Sequence, residues 1–179
     1  MGEGVQKSQP PEILFIERCV QFLKPGTGRA AIVLPDGILG SPGLGYVREW
    51  ILRNTQILAS IDLHPDTFQP HVSIQTSVLV LQRKTKEQIA LETAGDEISD
   101  YEIFMAVANH IGHDKRGENT YVRDEKGNEM FAEVEKREWG YDDRGVRVIR
   151  NHKVQEKVPD DNTKQIAEVF RQWLYDHDL

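Results

Sequence analysis

The side chains with reactive potential are scattered along the chain. Asp36 and Asp66 could act as acid or base groups, yet turn chemistry accounts for each, after Pro35 and before Thr67. His64, His71, His110 and His113 fall in separate loops without the i,i+4 spacing of a helical metal site, and read as ordinary loop histidines. Cys19 is the single cysteine, which removes both a cysteine-based zinc site and an internal disulfide and fits a reducing cytoplasm. No GxGxxG, Walker loop, HExxH or GxSxG occurs. No catalytic residue and no metal site is assigned on this basis.

Three other residues are more suggestive because the expected elements place them at one rim. Phe15 lies in a helix, where an aromatic suits core packing or a pocket wall equally. Pro35 ends the apolar run of RAAIVLP, and ligands of open α/β sheets sit just beyond such strand ends. Phe68 lies in the loop TFQPH, among polar neighbours, and its ring must pack on the protein or on a planar ligand.

The elements that position them follow from periodicity. PEILFIERCVQFLK has helical spacing, with Pro11 in the first turn and Pro25-Gly26 as a stop. Ala30 to Leu34 is an apolar run suited to a strand buried on both faces. DGILGSPGLG is expected to be irregular, and YVREWILRN returns to a helical pattern. ILASIDL and QTSVLVLQRK are further strands. Helices between strands predict parallel pairing of the first two strands, with the third reversed near the sheet edge. This is α/β: half of a doubly wound sheet, mixed, its last strand antiparallel.

Downstream, 84–101 reads as a charged linker and IFMAVANHI as a strand. Thr120–Arg123 and Asn128–Phe131 flank the turn DEKG as a hairpin. Residues 133–157 are charged and weakly patterned, and an N-capped helix closes the chain over Asn162–Asp176 with Phe170 and Trp173 on its apolar side. No internal repeat is apparent. The expected organisation is a disordered tail over 1–10, the sheet region over 11–88, and a small acidic α+β extension over 89–179.

Charge supports that division. Residues 1–88 carry 9 Lys and Arg against 8 Asp and Glu, whereas 89–179 carry 13 against 21. An acidic second half is a poor match for a DNA backbone by itself and suits solubility or a basic protein partner. No apolar run is long enough to span a membrane, and the N-terminus lacks a signal peptide's apolar core. The location expected is cytoplasmic, with no membrane partner.

Taken together, LFIERCVQFLKPGTGRAAIVLPDGILG, YVREWILRNTQILASIDLHPDTFQP and QTSVLVLQRK resemble the N6-adenine DNA methyltransferase family, in particular the modification (M) subunit of type I restriction–modification systems. The resemblance covers residues 11–84 and continues more loosely through IFMAVANHIGHDKRGENTYVRD and the terminal helix. It implies a Rossmann-like, S-adenosylmethionine-dependent enzyme that methylates adenine N6 in DNA after extruding the base. It also implies that Phe15 and Pro35 border the cofactor and that Phe68 packs against the flipped adenine.

The family's Gly-rich cofactor loop and its Asn/Asp-Pro-Pro-aromatic tetrapeptide do not occur in this sequence; QPPE at 9–12 has neither the Asn/Asp nor the aromatic. The resemblance therefore implies a C-terminal fragment, inactive alone and without tight cofactor binding. Its strand 29–34 would lack the partner that carries the tetrapeptide, and the exposed edge would drive self-association. DNA would be met through the complete complex, with a specificity subunit and a restriction subunit as partners. The alternative is a non-catalytic interaction module that docks one of those subunits through 89–179. A weaker option is methylation of RNA or protein on the same sheet.

Overall fold

The computed structural model describes residues 9–95 and 97–179. Residues 1–8 of the expected tail lie outside them, while Gln9 already accepts a hydrogen bond from the Tyr46 hydroxyl at 2.9 Å. Helix α1 (Pro11–Phe22) leads into strand β1 (Arg29–Pro35), helix α2 (Asp36–Gly40), helix α3 (Gly45–Asn54) and strand β2 (Thr55–Asp62). Strand β3 (Thr76–Arg83), helix α4 (Lys86–Gly95) and strand β4 (Phe104–Val107) follow. The chain ends with strands β5 (Phe131–Tyr141) and β6 (Arg147–Lys157) and helix α5 (Thr163–Asp176).

The four-stranded sheet has the order β1-β3-β2-β4, with β3 antiparallel to both neighbours and β2 parallel to β4. It is mixed, as expected, but two details differ. The strands β1 and β2 run in the same direction without pairing, because β3 inserts between them; the reversed strand is internal. A right-handed crossover needs β1 and β2 on one sheet, not side by side.

One face of this sheet holds the core. Ile13, Ile16 and Val20, spaced on one side of α1, pack with Leu34 of β1, Leu79 and Leu81 of β3, and Val47 and Ile51 of α3. The chain reverses between α1 and β1 at a point with no room: a Cβ on Gly28 would lie 2.4 Å from the Lys24 nitrogen. Arg83 fastens the same turn, its guanidinium donating to the carbonyls of Gln21 and Leu23 at 2.9 and 2.7 Å.

Two segments are more regular than their composition suggests, and one is less so. The Gly-rich stretch after β1 forms α2 and a 3-10 turn over Pro42–Leu44, both held by Arg48, which donates to the carbonyls of Ile38 and Ser41. The expected linker contains α4, opened by the reciprocal pair Thr85–Gln88, in which each side chain caps the other's backbone N–H. The expected strand 103–111 is ordered as β only over Phe104–Val107.

Helix α4 is tied down by a buried ion pair. Lys84 Nζ donates to both carboxylate oxygens of Glu92 at 2.9 and 2.7 Å and to the Leu52 carbonyl at 2.8 Å. Burial opposes ionisation of Glu92, but the bonds from Lys84 and from the Ser99 N–H outweigh it and hold the carboxyl below the usual glutamate range.

The extension is built from three hairpins with the same turn. Asp114, Asp124 and Asp142 each open a loop whose glycine three residues later has φ of +81°, +84° or +74°. In each, the Asp Oδ1 accepts backbone N–H groups two and four residues on, from Arg116 and Glu118, Lys126 and Asn128, and Arg144 and Val146. The glycine is required because left-handed backbone is unfavourable for other residues. The hairpins radiate from two closed rings of backbone hydrogen bonds. Gly112 N–H donates to Asp160, Asp160 to Thr120 and Thr120 back to Gly112, at 2.8, 3.0 and 2.8 Å. Val122, Val158 and Met130 form the second ring, each bond 2.9 Å.

The third hairpin, β5–β6, was the weakly patterned segment. Helix α5 begins where expected, but its first-turn cap is the Asp161 carboxylate, which accepts the Thr163 N–H at 2.8 Å, not the Asn162 side chain. Phe170 and Trp173 face inward onto Phe104, at ring separations of 5.2 and 6.1 Å. His177 stacks on Trp173, and hydrogen bonds to the Trp173 carbonyl and the Glu102 carboxylate raise its pKa above the ordinary histidine value.

The ion pair yields a stability test. Glu92→Gln leaves the Lys84 charge buried without its counter-ion and is expected to destabilise the chain by about 3 kcal/mol in urea melts. Because the folded carboxyl lies below its unfolded value, the wild-type contribution is complete above the ordinary glutamate range and fades as pH falls through the folded value. The variant should lose that acid-side dependence.

Candidate functional site

The carboxyl ends of β1 and β2 meet the start of β3 at a single rim. The register pairs Pro35 with Thr76 and Asp62 with Ser77. Side chains lock the junction: Ser77 Oγ donates to Asp36 Oδ1 at 3.0 Å, and the Gln75 amide donates to Asp62 Oδ1 and to the Leu63 carbonyl at 2.8 and 2.6 Å. Backbone bonds add to this, from Asp36 N–H to Gln75 and from Leu63 N–H to Thr76. Both rim carboxylates are thus held by neutral donors within the scaffold. They position the wall of the rim.

Phe68 sits in the loop that joins β2 to β3 just beyond this rim. The loop winds through successive turns, with Thr67 N–H donating to His64, Gln69 to Asp66, and His71 and Val72 to Phe68. Asp66 serves these turns, and its own N–H meets His64 Nδ1 at 3.1 Å. Phe68 remains 38% exposed. The turn of the first extension hairpin leans on the loop, since a Cβ on Gly117 would lie 3.2 Å from Pro70 Cδ.

Phe15 is on the N-terminal half of α1, pointing away from the core that its neighbours Ile13 and Ile16 enter. It is 68% exposed and, with Pro11, Leu14, Glu17, Arg18 and Gln21, lines an open groove of about 450 Å³ along the helix. Neither Pro35 nor Phe68 borders that groove. A second apolar stripe, Leu14, Phe15 and Phe22, therefore runs exposed along α1, with the Arg18 guanidinium over the Phe22 ring at 5.7 Å. Sequence spacing alone did not separate it from the buried stripe, because both have helical period.

The outer edge of β1 is the other open surface. The strand pairs only with β3, and among the described residues nothing pairs with its second edge. Val33 is half exposed on the face opposite α1. Among the described residues, no cluster of three His, Cys, Asp or Glu side chains could hold a metal ion, and no helix is long and apolar enough to cross a membrane.

The sequence pattern of the N-6 DNA methylase family matches residues 2–139. The chain belongs to that family. Solved structures similar to parts of it include a type I restriction–modification complex, at 27% identity over 42% of this chain, with a TM-score of 0.39. A modification subunit ascribed to a type I restriction enzyme of Vibrio vulnificus is 31% identical over 41% of the chain, with a TM-score of 0.38. A protein of Listeria monocytogenes described as a class I S-adenosylmethionine-dependent methyltransferase is 24% identical over 55%, with a TM-score of 0.41. The matches cover only 16%, 16% and 27% of those three chains, respectively. A comparison with curated proteins finds no match.

One polar atom at the rim stands apart. Thr76 is 5% exposed and its Oγ1 has no hydrogen-bond partner among the described residues. Thr76→Val keeps the shape and removes the unsatisfied hydroxyl, so it should raise the stability of this chain by about 1 kcal/mol in a denaturant titration. A loss of similar size would show that the hydroxyl is satisfied in solution.

Proposed function

We propose that residues 11–83 form one flank of the active cleft of a DNA adenine-N6 methyltransferase, an M subunit of a type I restriction–modification system that acts in the cytoplasm. The observation that carries this is the unpaired edge of β1, which ends at the rim where Pro35 and the Phe68 loop lie. A seven-residue strand with an apolar composition is normally paired or covered. In this reading the strand bearing the Asn/Asp-Pro-Pro-aromatic tetrapeptide covers it, supplied by polypeptide outside this sequence.

Apolar surface at two separate places, Pro35 at the rim and Phe15 on α1, supports a wall of an S-adenosylmethionine site, and the rim carboxylates Asp36 and Asp62 each accept a hydrogen bond within the scaffold. The cofactor, when bound, supplies the methyl group. This chain's own contribution is to shape the cleft: Phe68 packs on the extruded adenine and helps keep water from it, and the Ser77–Asp36 bond fixes the strand end that bounds it. Base extrusion is needed because the amine is inaccessible within the stacked duplex. Positioning by such walls is worth several kcal/mol of barrier, provided that the reacting groups are present.

Three outcomes are expected. The purified 179 residues should transfer no methyl group from S-adenosylmethionine to adenine; measurable N6-methyladenine formation would refute the split-cleft reading. In the complete enzyme, Phe68→Ala should lower methylation at least about tenfold while leaving subunit assembly intact, since it removes a stacking contact of about 1–3 kcal/mol. The isolated chain should self-associate through the β1 edge, and sedimentation showing a monomer at all concentrations would count against that.

The docking alternative gains nothing from Phe170 and Trp173. Both are used inside the molecule against Phe104, and replacing them would loosen α5 rather than strip a partner surface.

A further inference from the structure

The β5–β6 hairpin is the longest paired element of the extension. Its eleven-residue strands, at ~3.4 Å per residue, make a ribbon on the order of 35 Å long. Nearly all of its residues are exposed, on both faces.

Its charges are segregated along its length. Toward the base, Lys136 pairs with Glu156, Lys153 with Glu133, and Lys157 with Glu129, at 2.5, 2.7 and 2.7 Å. Toward the tip lie four arginines, Arg137, Arg144, Arg147 and Arg150, and none is ion-paired among the described residues. Arg147 instead lies over the Trp139 ring, 4.4 Å from its centre.

The pairing register sorts the distal half into two faces. Arg137 stands opposite Asn151, Trp139 opposite Ile149, and Tyr141 opposite Arg147, all on one face. That face carries two guanidinium groups and no carboxylate, with Trp139, Tyr141 and Ile149 62%, 67% and 54% exposed. Of the nearby carboxylates, Glu135 is on the same face at the basal border of the patch, opposite Lys153, and the others lie elsewhere. Glu138 is on the opposite face beside His152, Asp142 accepts the amides of its own turn, and Asp143 is in the turn.

We propose that this distal face binds the phosphate backbone of duplex DNA, with Arg137 and Arg147 on phosphates and Trp139 and Tyr141 against the sugar edges. A two-stranded ribbon fits the major groove, about 12 Å wide. Unpaired arginines are suited to phosphate by their planar, multiply donating heads. The acidic composition of 89–179 conceals this patch because most of its carboxylates lie outside the ribbon, toward its base, in its turn or on its other face. The inference rests on the methylase reading only for the choice of DNA as the polymer.

The test uses the full chain and a short fluorescent DNA duplex, followed by anisotropy at several salt concentrations, without cofactor. The wild type should bind at low salt. Arg137→Ala/Arg147→Ala should weaken binding on the order of tenfold and reduce the salt slope by about two, as expected for two lost phosphate contacts. Lys136→Met/Lys153→Met, at the paired base, should leave the slope unchanged. Circular dichroism checks that each variant folds. Absence of wild-type binding, or an unchanged slope in the arginine variant, overturns the proposal. So does a result in which Trp139→Ala abolishes self-association while DNA is ignored, which would make the ribbon a protein-docking element. Because the readout needs no methyl transfer, its failure is separable from failure of the cleft reading.

Discussion

Strand β3 is hydrogen-bonded on both edges, to β1 from Arg29 to Pro35 and to β2 from Thr55 to Asp62. Running against both, it brings their carboxyl ends to its own start. The rim exists because of this arrangement: Pro35, Thr76, Ser77 and Asp62 become lateral neighbours although they lie far apart in the chain. The far end of β3 serves a second purpose, since Arg83 closes the turn between α1 and β1 and so fixes which side of α1 meets the core. Loss of β3 pairing would release the rim, the Phe68 loop and α1 together.

Much of this was legible in the residues. The apolar runs 30–34 and 57–63, the helical spacing of α1 and α3, and the placement of Phe68 in a loop beyond β2 all follow from periodicity and turn chemistry. What was not legible had physical reasons. Periodicity gives the direction of β1 and β2 but not the order of strands, because insertion of β3 is a long-range choice. Helix α2 forms despite two glycines because Arg48 satisfies carbonyls at its end, a tertiary contact that overrides local propensity. The β5–β6 ribbon gave no alternating signal because neither face is buried. Its turn could have been found: the spacing Asp-x-x-Gly recurs at 114, 124 and 142, and only the middle copy was read as a hairpin.

The candidate site residues divide in the same way. Pro35 and Phe68 are held at the rim by a dense polar network. Phe15 is held only by its helix, with its ring turned outward. An exposed aromatic stripe beside an unpaired strand edge is an incomplete surface. It has the composition of a core rather than of a solvated face. The extension contributes a different surface, polar and projecting, in which charge is arranged by strand register rather than by composition.

The central claim is that the second edge of β1 is covered by another strand in the complete enzyme. Hydrogen–deuterium exchange of the β1 amides that do not donate to β3 tests it most directly. Those amides should exchange rapidly in the 179-residue chain at protein concentrations too low for self-association, and become strongly protected in the complete enzyme. Equal, rapid exchange in both would contradict the account.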